Sequence, residues 1–117
     1  MNCLFCKIIN GEIPAKKVYE TETVLVFEDI APLAPIHLLI IPKIHFSNIN
    51  ELDQNKAPVM ADLFLAAQKV AKDKKISEQG YRLIINNGPA AGQEIFHLHL
   101  HLLAGQEKLG PMLPKNN

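Results

Sequence analysis

The sequence predicts an α+β domain: an antiparallel sheet of about five strands, one main helix, and a short helix at the N-terminus. Three observations lead there. Strand-like runs both precede and follow a single long amphipathic segment. The link between the last two runs is short, Gly-rich and turn-like. Residues 96–103, "FHLHLHLL", alternate histidine with apolar side chains at every second position, the period of an extended chain. The whole chain, 1–117, makes one domain, long enough to bury roughly two-thirds of its unfolded surface. A hydrophobic content of 48% supplies a packed core without a disulfide scaffold.

The elements follow in chain order. "CLFCKIING", residues 3–11, predicts a short helical turn stopped by Gly11. Between Lys17 and Glu28, Val24 and Val26 fill one face and Leu25 and Phe27 the other, which predicts a strand buried on both sides. "IHLLIIP", residues 36–42, is a second β-rich run, ended by a proline that cannot donate to a ladder. The helix comes next. Asp53 or Asn55 can cap its start, and Pro58 suits its first turn. Met60, Leu63, Phe64, Ala67, Val70 and Ala71 recur at three- and four-residue steps and form one apolar stripe. Lys72, Lys74 and Lys75 meet the negative end of the helix dipole, and Gly80 closes the segment. "YRLIIN" (81–86) predicts a third strand, "NGPAAGQ" (87–93) a turn, and Glu94–Leu103 the strand that follows. One helix covers only part of one sheet face, which points to a second copy of the chain over the rest.

Charge and composition narrow the function. Lys plus Arg and Asp plus Glu balance at 12 each with no basic run, so neither nucleic acid nor a membrane surface is expected as a partner. "MNCLFCKIING" lacks the blocks of a secretory signal, and Ile36–Pro42 is too short to span a bilayer. A cytoplasmic location is expected. Cys3 and Cys6, the only cysteines, form a C-x-x-C, and in a reducing compartment they are not expected to pair as a structural disulfide.

Alternation puts His97, His99 and His101 on one side of the last strand and Phe96, Leu98, Leu100 and Leu102 on the other. The leucine face must enter the core, so the histidine face is expected where water or a ligand reaches it. A solvated face could equally be Ser, Thr or Lys, yet three of the chain's five histidines stand here. Two chemistries suit the row. Histidines at i and i+2 can share a zinc ion. Alternatively, neutral imidazole is a good nucleophile at pH 7 and can attack phosphorus, with neighbouring rings donating protons or holding negative charge. The turn just ahead offers Asn86, Gly88, Gly92 and Gln93, with room for main chain beside a phosphate and an amide to donate to it.

At these residues the chain resembles the histidine triad (HIT) family. "HLHLHLL" fits the pattern His-φ-His-φ-His-φ-φ. "KIINGEIPAKKVYE", "FEDIAPLAPIHLLIIPKIH", "GYRLIINNGPAAGQEIFHLHLHLLAG" and "LGPML" are similar to the nucleotide-binding, Hint-type branch. "GQE" and "LGPML" look like bacterial members; animal ones typically carry serine at the position of Glu94.

The resemblance implies a HIT-like homodimer with sheets joined into a larger one. It also implies hydrolysis of purine nucleoside phosphoramidates to a nucleoside monophosphate and an amine, with no cofactor required. By position, His99 would be the nucleophile and His101 the proton donor, with His97 and His37 orienting and polarising the group. Asp29 would hold the ribose hydroxyls, and Ile30, Phe5 and Ile8 would line the base pocket. Asn86, Gly92, Gln93 and Glu94 would lie at the phosphate side, and Leu109–Pro114 would shape leaving-group preference across the dimer. In some members a C-x-x-C, a histidine after Pro-Lys and the first triad histidine bind zinc; Cys3, Cys6, His45 and His97 stand at those places. Such a set is closed and structural. Two rivals remain at this stage: a nucleotide-binding scaffold without turnover, and a zinc-dependent hydrolase.

Overall fold

Residues 3–112 are described by the computed structural model. Their elements are α1 (Leu4–Ile9), β1 (Lys17–Glu20), β2 (Val24–Glu28), β3 (Ile36–Pro42), α2 (Ala57–Asp73), β4 (Arg82–Ile84) and β5 (Leu100–Ala104), with short 3-10 turns at Ile49–Glu51 and Pro89–Ala91. The strands form one antiparallel sheet in the order β1-β2-β3-β5-β4.

The central strands explain the architecture. β2 and β3 are apolar on both faces, and the sheet accordingly separates two cores. Val24, Val26, Leu38, Ile40, Leu98, Leu100 and Leu102 pack beneath Leu63, Ala66, Ala67, Val70 and Ala71 of α2. Leu25, Phe27, Leu39 and Ile41 meet Phe5 and Ile8 of α1 on the other side. Each large aliphatic side chain so buried contributes about 1.5–3 kcal/mol.

Five expectations need correction. The single strand expected over Lys17–Glu28 is a hairpin: Thr21 Oγ1 accepts from the main-chain N–H groups of Thr23 (3.2 Å) and Val24 (3.0 Å), folding the chain between β1 and β2. The helix is not stopped at Gly80. Lys75 takes a left-handed φ of 61° while the amides of Lys75 and Ile76 donate back to the carbonyls of Lys72 and Ala71. Ile76 is buried in the α2 core, and that contact tips the balance against the strain of a non-glycine residue. Neither Asp53 nor Asn55 is the helix cap; Lys56 holds that place, and Asp53 Oδ1 accepts from the Lys56 N–H at 2.9 Å to form the turn before it. Within the stripe, Phe64 is half exposed and Ala66 takes the buried place.

The last correction positions the site. Hydrogen-bonded strand begins only at Leu100, because Leu98 N–H donates to the Phe46 carbonyl (2.7 Å) instead of a strand neighbour. Alternation survives this bend: Leu98, Leu100 and Leu102 enter the α2 core, but Phe96 stays 45% exposed. His97, His99 and His101 turn toward the α1 side.

Candidate active site and metal centre

All five histidines gather on the α1 side of the sheet. His101 stands on β5 opposite Leu39, His37 on β3 opposite Leu103, and His97 and His99 lead into β5. The histidine row is not a solvated face. His97 is fully buried and His99 is 8% exposed, beneath Phe5, whose ring meets that of His99 in a T-shaped contact with centroids 5.1 Å apart. The short helix α1 roofs the row, which alternation alone did not reveal.

Each ring is held by main chain or by another ring. His99 Nδ1 lies 2.8 Å from the His97 carbonyl oxygen; a carbonyl only accepts, so Nδ1 carries the proton and Nε2 the lone pair. Among the described residues no buried side-chain N or O lacks a partner, and Nε2 of His99 makes no hydrogen bond, so it reaches solvent. His101 lies beside it, ring centroids 4.9 Å apart. His37 Nε2 is 2.9 Å from His101 Nδ1 and 3.5 Å from Asp29 Oδ2. Burial lowers the proton affinity of all of them. It pushes His97 and His101 down to about 4, His101 also through its neighbours His99 and His37. His99 and His37 are lowered too, by burial and against the opposing pull of nearby acceptors, Asp29 among them. The row is uncharged at neutral pH.

Behind the row lies a second cluster. Cys3, Cys6, His45 and His97 bring one donor atom each within 4.8 Å of one another. His97 Nε2 donates to the Pro42 carbonyl at 2.8 Å, which turns the Nδ1 lone pair inward. That atom is 3.1 Å from His45 Nδ1, 3.4 Å from Cys3 Sγ and 3.6 Å from Cys6 Sγ, and Cys6 Sγ is 3.5 Å from His45 Nδ1. A tetrahedral ion with M–N of about 2.0–2.1 Å and M–S of about 2.3 Å needs N–N edges of about 3.3 Å and S–N edges of about 3.6 Å. The cluster can hold a metal ion. Burial, with Cys3 alongside, keeps the Cys6 thiol above its ordinary value, so loading releases protons.

Several expected contacts come out differently. Gln93 is 4% exposed and its amide is spent internally. Its Nε2 donates to the carbonyls of Ser47 (2.7 Å) and Ile95 (3.1 Å), and its Oε1 accepts from Gly88 N–H (2.8 Å) and Asn48 Nδ2 (3.3 Å). It braces the loop and has no hydrogen left for a phosphate. Phe5 and Ile8 are buried in the core on the α1 side, whereas Ile30 is 98% exposed. Asp29 Oδ1 accepts from Ala31 N–H (2.8 Å), closing a turn in the loop before β3. Asn86 is half-buried, and Gly92 and Glu94 are exposed at the mouth of the loop, Gly92 left-handed with φ 93°. Leu113 and Pro114 of the expected C-terminal segment lie outside the described residues. Sequence reading missed Leu33, Pro42, Asn48 and Ser47, of which the first two and Ser47 act through main chain. A cavity of about 420 Å³ between Tyr19, Thr21, Asp62 and Leu65 is a surface depression away from the histidines and brings no imidazole or thiol together.

A family model for the HIT domain matches residues 10–108. The chain belongs to the HIT family. Within this family it is 44% identical over 110 residues to the purine nucleoside phosphoramidase of Escherichia coli, spanning 94% of this chain and 92% of that one. Its HIT fold superposes on a HIT family hydrolase from Clostridium thermocellum with a TM-score of 0.92 at 51% identity, covering 97% of both chains. A histidine triad nucleotide-binding protein from Candida albicans gives 0.84 at 35% identity, over 99% of this chain and 85% of the other. No helix among the described residues is long and apolar enough to cross a membrane.

Proposed function

We propose that this HIT protein hydrolyses purine nucleoside 5′-phosphoramidates through a nucleotidyl group carried on His99. One observation bears most of the weight: His99 gives its Nδ1 proton to the His97 carbonyl and leaves the Nε2 lone pair uncovered beside His101. The Nε2 lone pair attacks phosphorus, and the P–N bond to the amine breaks. An expelled amide nitrogen is a far stronger base than imidazole, so it takes a proton from His101 as it leaves. Water then gives its OH to phosphorus and its proton back to His101, and His99 departs. The positive charge on phosphorylated His99 offsets the charge left on its neighbour. The half-buried carboxylate of Asp29, on the loop that exposes Ile30, supports a ribose and base laid along that loop, with Phe5 and Ile8 as its floor. His37 orients from behind, and Asn86, Gly92 and Glu94 face the phosphate side.

Zinc in the Cys3–Cys6–His45–His97 cluster would be structural. Two thiolates and two imidazoles satisfy a tetrahedral ion with no position left for substrate, and the ion supplies rigidity there and not chemistry. His97 would hold it through Nδ1 while its carbonyl holds His99. A homodimer is supported by the half-exposed Phe64 and exposed Leu65 on α2 and by the open edge of β4. Free cysteines suit the cytoplasm.

The test is turnover of adenosine 5′-phosphoramidate with and without a chelator, in wild type and His99→Asn. Turnover that persists under chelation is expected, with a loss of at least roughly 1,000-fold in the variant while AMP still binds. Unchanged turnover in His99→Asn removes the phosphohistidine route. Chelator-abolished turnover favours a zinc hydrolase, and binding without turnover in wild type favours a scaffold.

A further inference from the structure

The two nitrogens of His101 are not equivalent, and the structure decides which one carries its proton. Nδ1 lies 2.9 Å from His37 Nε2, so one of that pair holds a hydrogen and the other a lone pair. The distance alone permits either. The other side of His37 settles it. Leu33 N–H lies 3.1 Å from His37 Nδ1, and an amide N–H can only donate, so Nδ1 is the acceptor. Neutral imidazole has one N–H, which must then be on Nε2. Asp29 Oδ2, 3.5 Å from the same Nε2, is a second acceptor and favours the same assignment. Burial keeps both rings neutral at neutral pH.

We propose that the main-chain amide of Leu33, acting through His37, fixes the proton of His101 on Nε2, making Leu33 and His37 positioning residues for proton delivery to the leaving nitrogen. The catalytic half rests on the nucleotidyl-transfer reading above; the tautomer does not. In that reaction Nε2–H gives its proton to the amine as the P–N bond breaks and recovers one from water in the second half. With the opposite tautomer, Nε2 would present a lone pair to the leaving nitrogen and have nothing to give. The device mirrors the one at His99. A carbonyl of residue 97 turns one ring into a lone-pair nucleophile, and an amide of residue 33 turns its neighbour into a donor.

The same assignment sets Asp29, His37 and His101 apart from a metal site. Their donor atoms also lie within 4.8 Å of one another, but His37 Nε2 bears a hydrogen as long as Leu33 donates to the opposite nitrogen. A ligand atom needs a lone pair there.

Nitrogen-15 NMR of histidine-labelled wild type reads the tautomers directly. Protons on Nε2 of both His37 and His101 are expected; a proton on His101 Nδ1 overturns the proposal. Replacing the Leu33 amide by an ester, through incorporation of the corresponding hydroxy acid, removes the donor and keeps the side chain; Leu33→Pro removes it by ordinary mutagenesis. In either variant, kcat for an alkylamine leaving group should fall by roughly tenfold or more, while kcat for p-nitrophenolate, which leaves unprotonated, falls less than about twofold. Tautomers unmoved by the ester, or equal losses for the two leaving groups, overturn it. Should wild type show the expected tautomers and cleave no phosphoramidate, the assignment stands and its catalytic role falls with the functional reading.

Discussion

Two pairs of histidines in this protein have nearly the same spacing and opposite characters. His45 and His97 bring Nδ1 to within 3.1 Å of Nδ1, and His37 and His101 bring Nε2 to within 2.9 Å of Nδ1. What separates them is the main-chain group on the far side of one ring. Behind His97 stands a carbonyl, that of Pro42, which claims the proton and turns a lone pair inward toward two thiols. Behind His37 stands an amide, that of Leu33, which claims the lone pair and turns a proton inward. A ring that turns its lone pair toward two thiols and a second imidazole suits a cation; a pair with one proton between suits a relay. Proximity of imidazoles therefore does not by itself distinguish a ligand set from a catalytic one. The backbone behind them does.

Metal loading should produce the largest divergence between the pairs. Purified protein is expected to bind one equivalent of zinc tightly, and cobalt in its place should show a tetrahedral thiolate spectrum. At metal concentrations about 100 times the dissociation constant, binding adds about 2.7 kcal/mol of stability, a rise in Tm on the order of 10 °C for a chain of this size. Cys3→Ser and Cys6→Ser should each abolish that rise. Two tight equivalents, or zinc competing with nucleotide, would mean that His37 and His101 also bind metal, and the contrast would break.

Mutating one histidine of each pair sharpens it next. His45→Ala should lower metal content and Tm while leaving kcat within a few-fold. His37→Ala should keep the metal and lower kcat by about 10- to 100-fold, equivalent to about 1.4–2.7 kcal/mol in the barrier, with KM changing less. Steady-state kinetics beside metal analysis of the same preparations gives both numbers. The reverse pattern would exchange the roles assigned to the two pairs.

How far the sequence carried this picture depends on whether side chains or main chain did the work. β2, β3 and α2 were legible because periodicity is written in side-chain polarity: Val24 to Phe27 fill two faces, and Leu63 to Ala71 recur on one. The histidine cluster was legible for the same reason, and Cys3, Cys6, His45 and His97 do converge as the family resemblance implied. The Thr21 turn was hidden inside an otherwise strand-like run. The left-handed Lys75 was hidden because a tertiary contact of Ile76 overrode the usual preference for glycine. Gln93 carried a plausible signal and was read for the wrong purpose, since a buried amide with four internal partners looks in sequence like one free for a ligand. Pro42 and Leu33 gave no signal at all. A carbonyl and an N–H exist at nearly every position, and only the fold says which ones meet an imidazole.

The smallest effect is in pH, and it distinguishes the pairs through what they share. His97 and His101 are both pushed down to about 4 from an ordinary 6.5, burial being the first cause in each. The unfolded chain takes up protons at these histidines below about pH 6.5, whereas the folded chain resists until about pH 4. Below pH 6.5 the unfolded state therefore binds more protons, and their contribution to stability, full above that value, is lost as pH falls toward 4. Most carboxylates titrate below about 4.5, so the interval from about pH 7 to about pH 5 isolates the histidines. The urea midpoint of the metal-free protein should fall across that interval, and less so in His101→Asn. Saturating zinc should steepen the fall, because protons then compete with the ion at His97 and the thiols while His101 titrates as before. A midpoint that stays flat from pH 7 to pH 5 without metal would mean that these rings are not held neutral by burial, and the tautomers argued for both pairs would lose their footing.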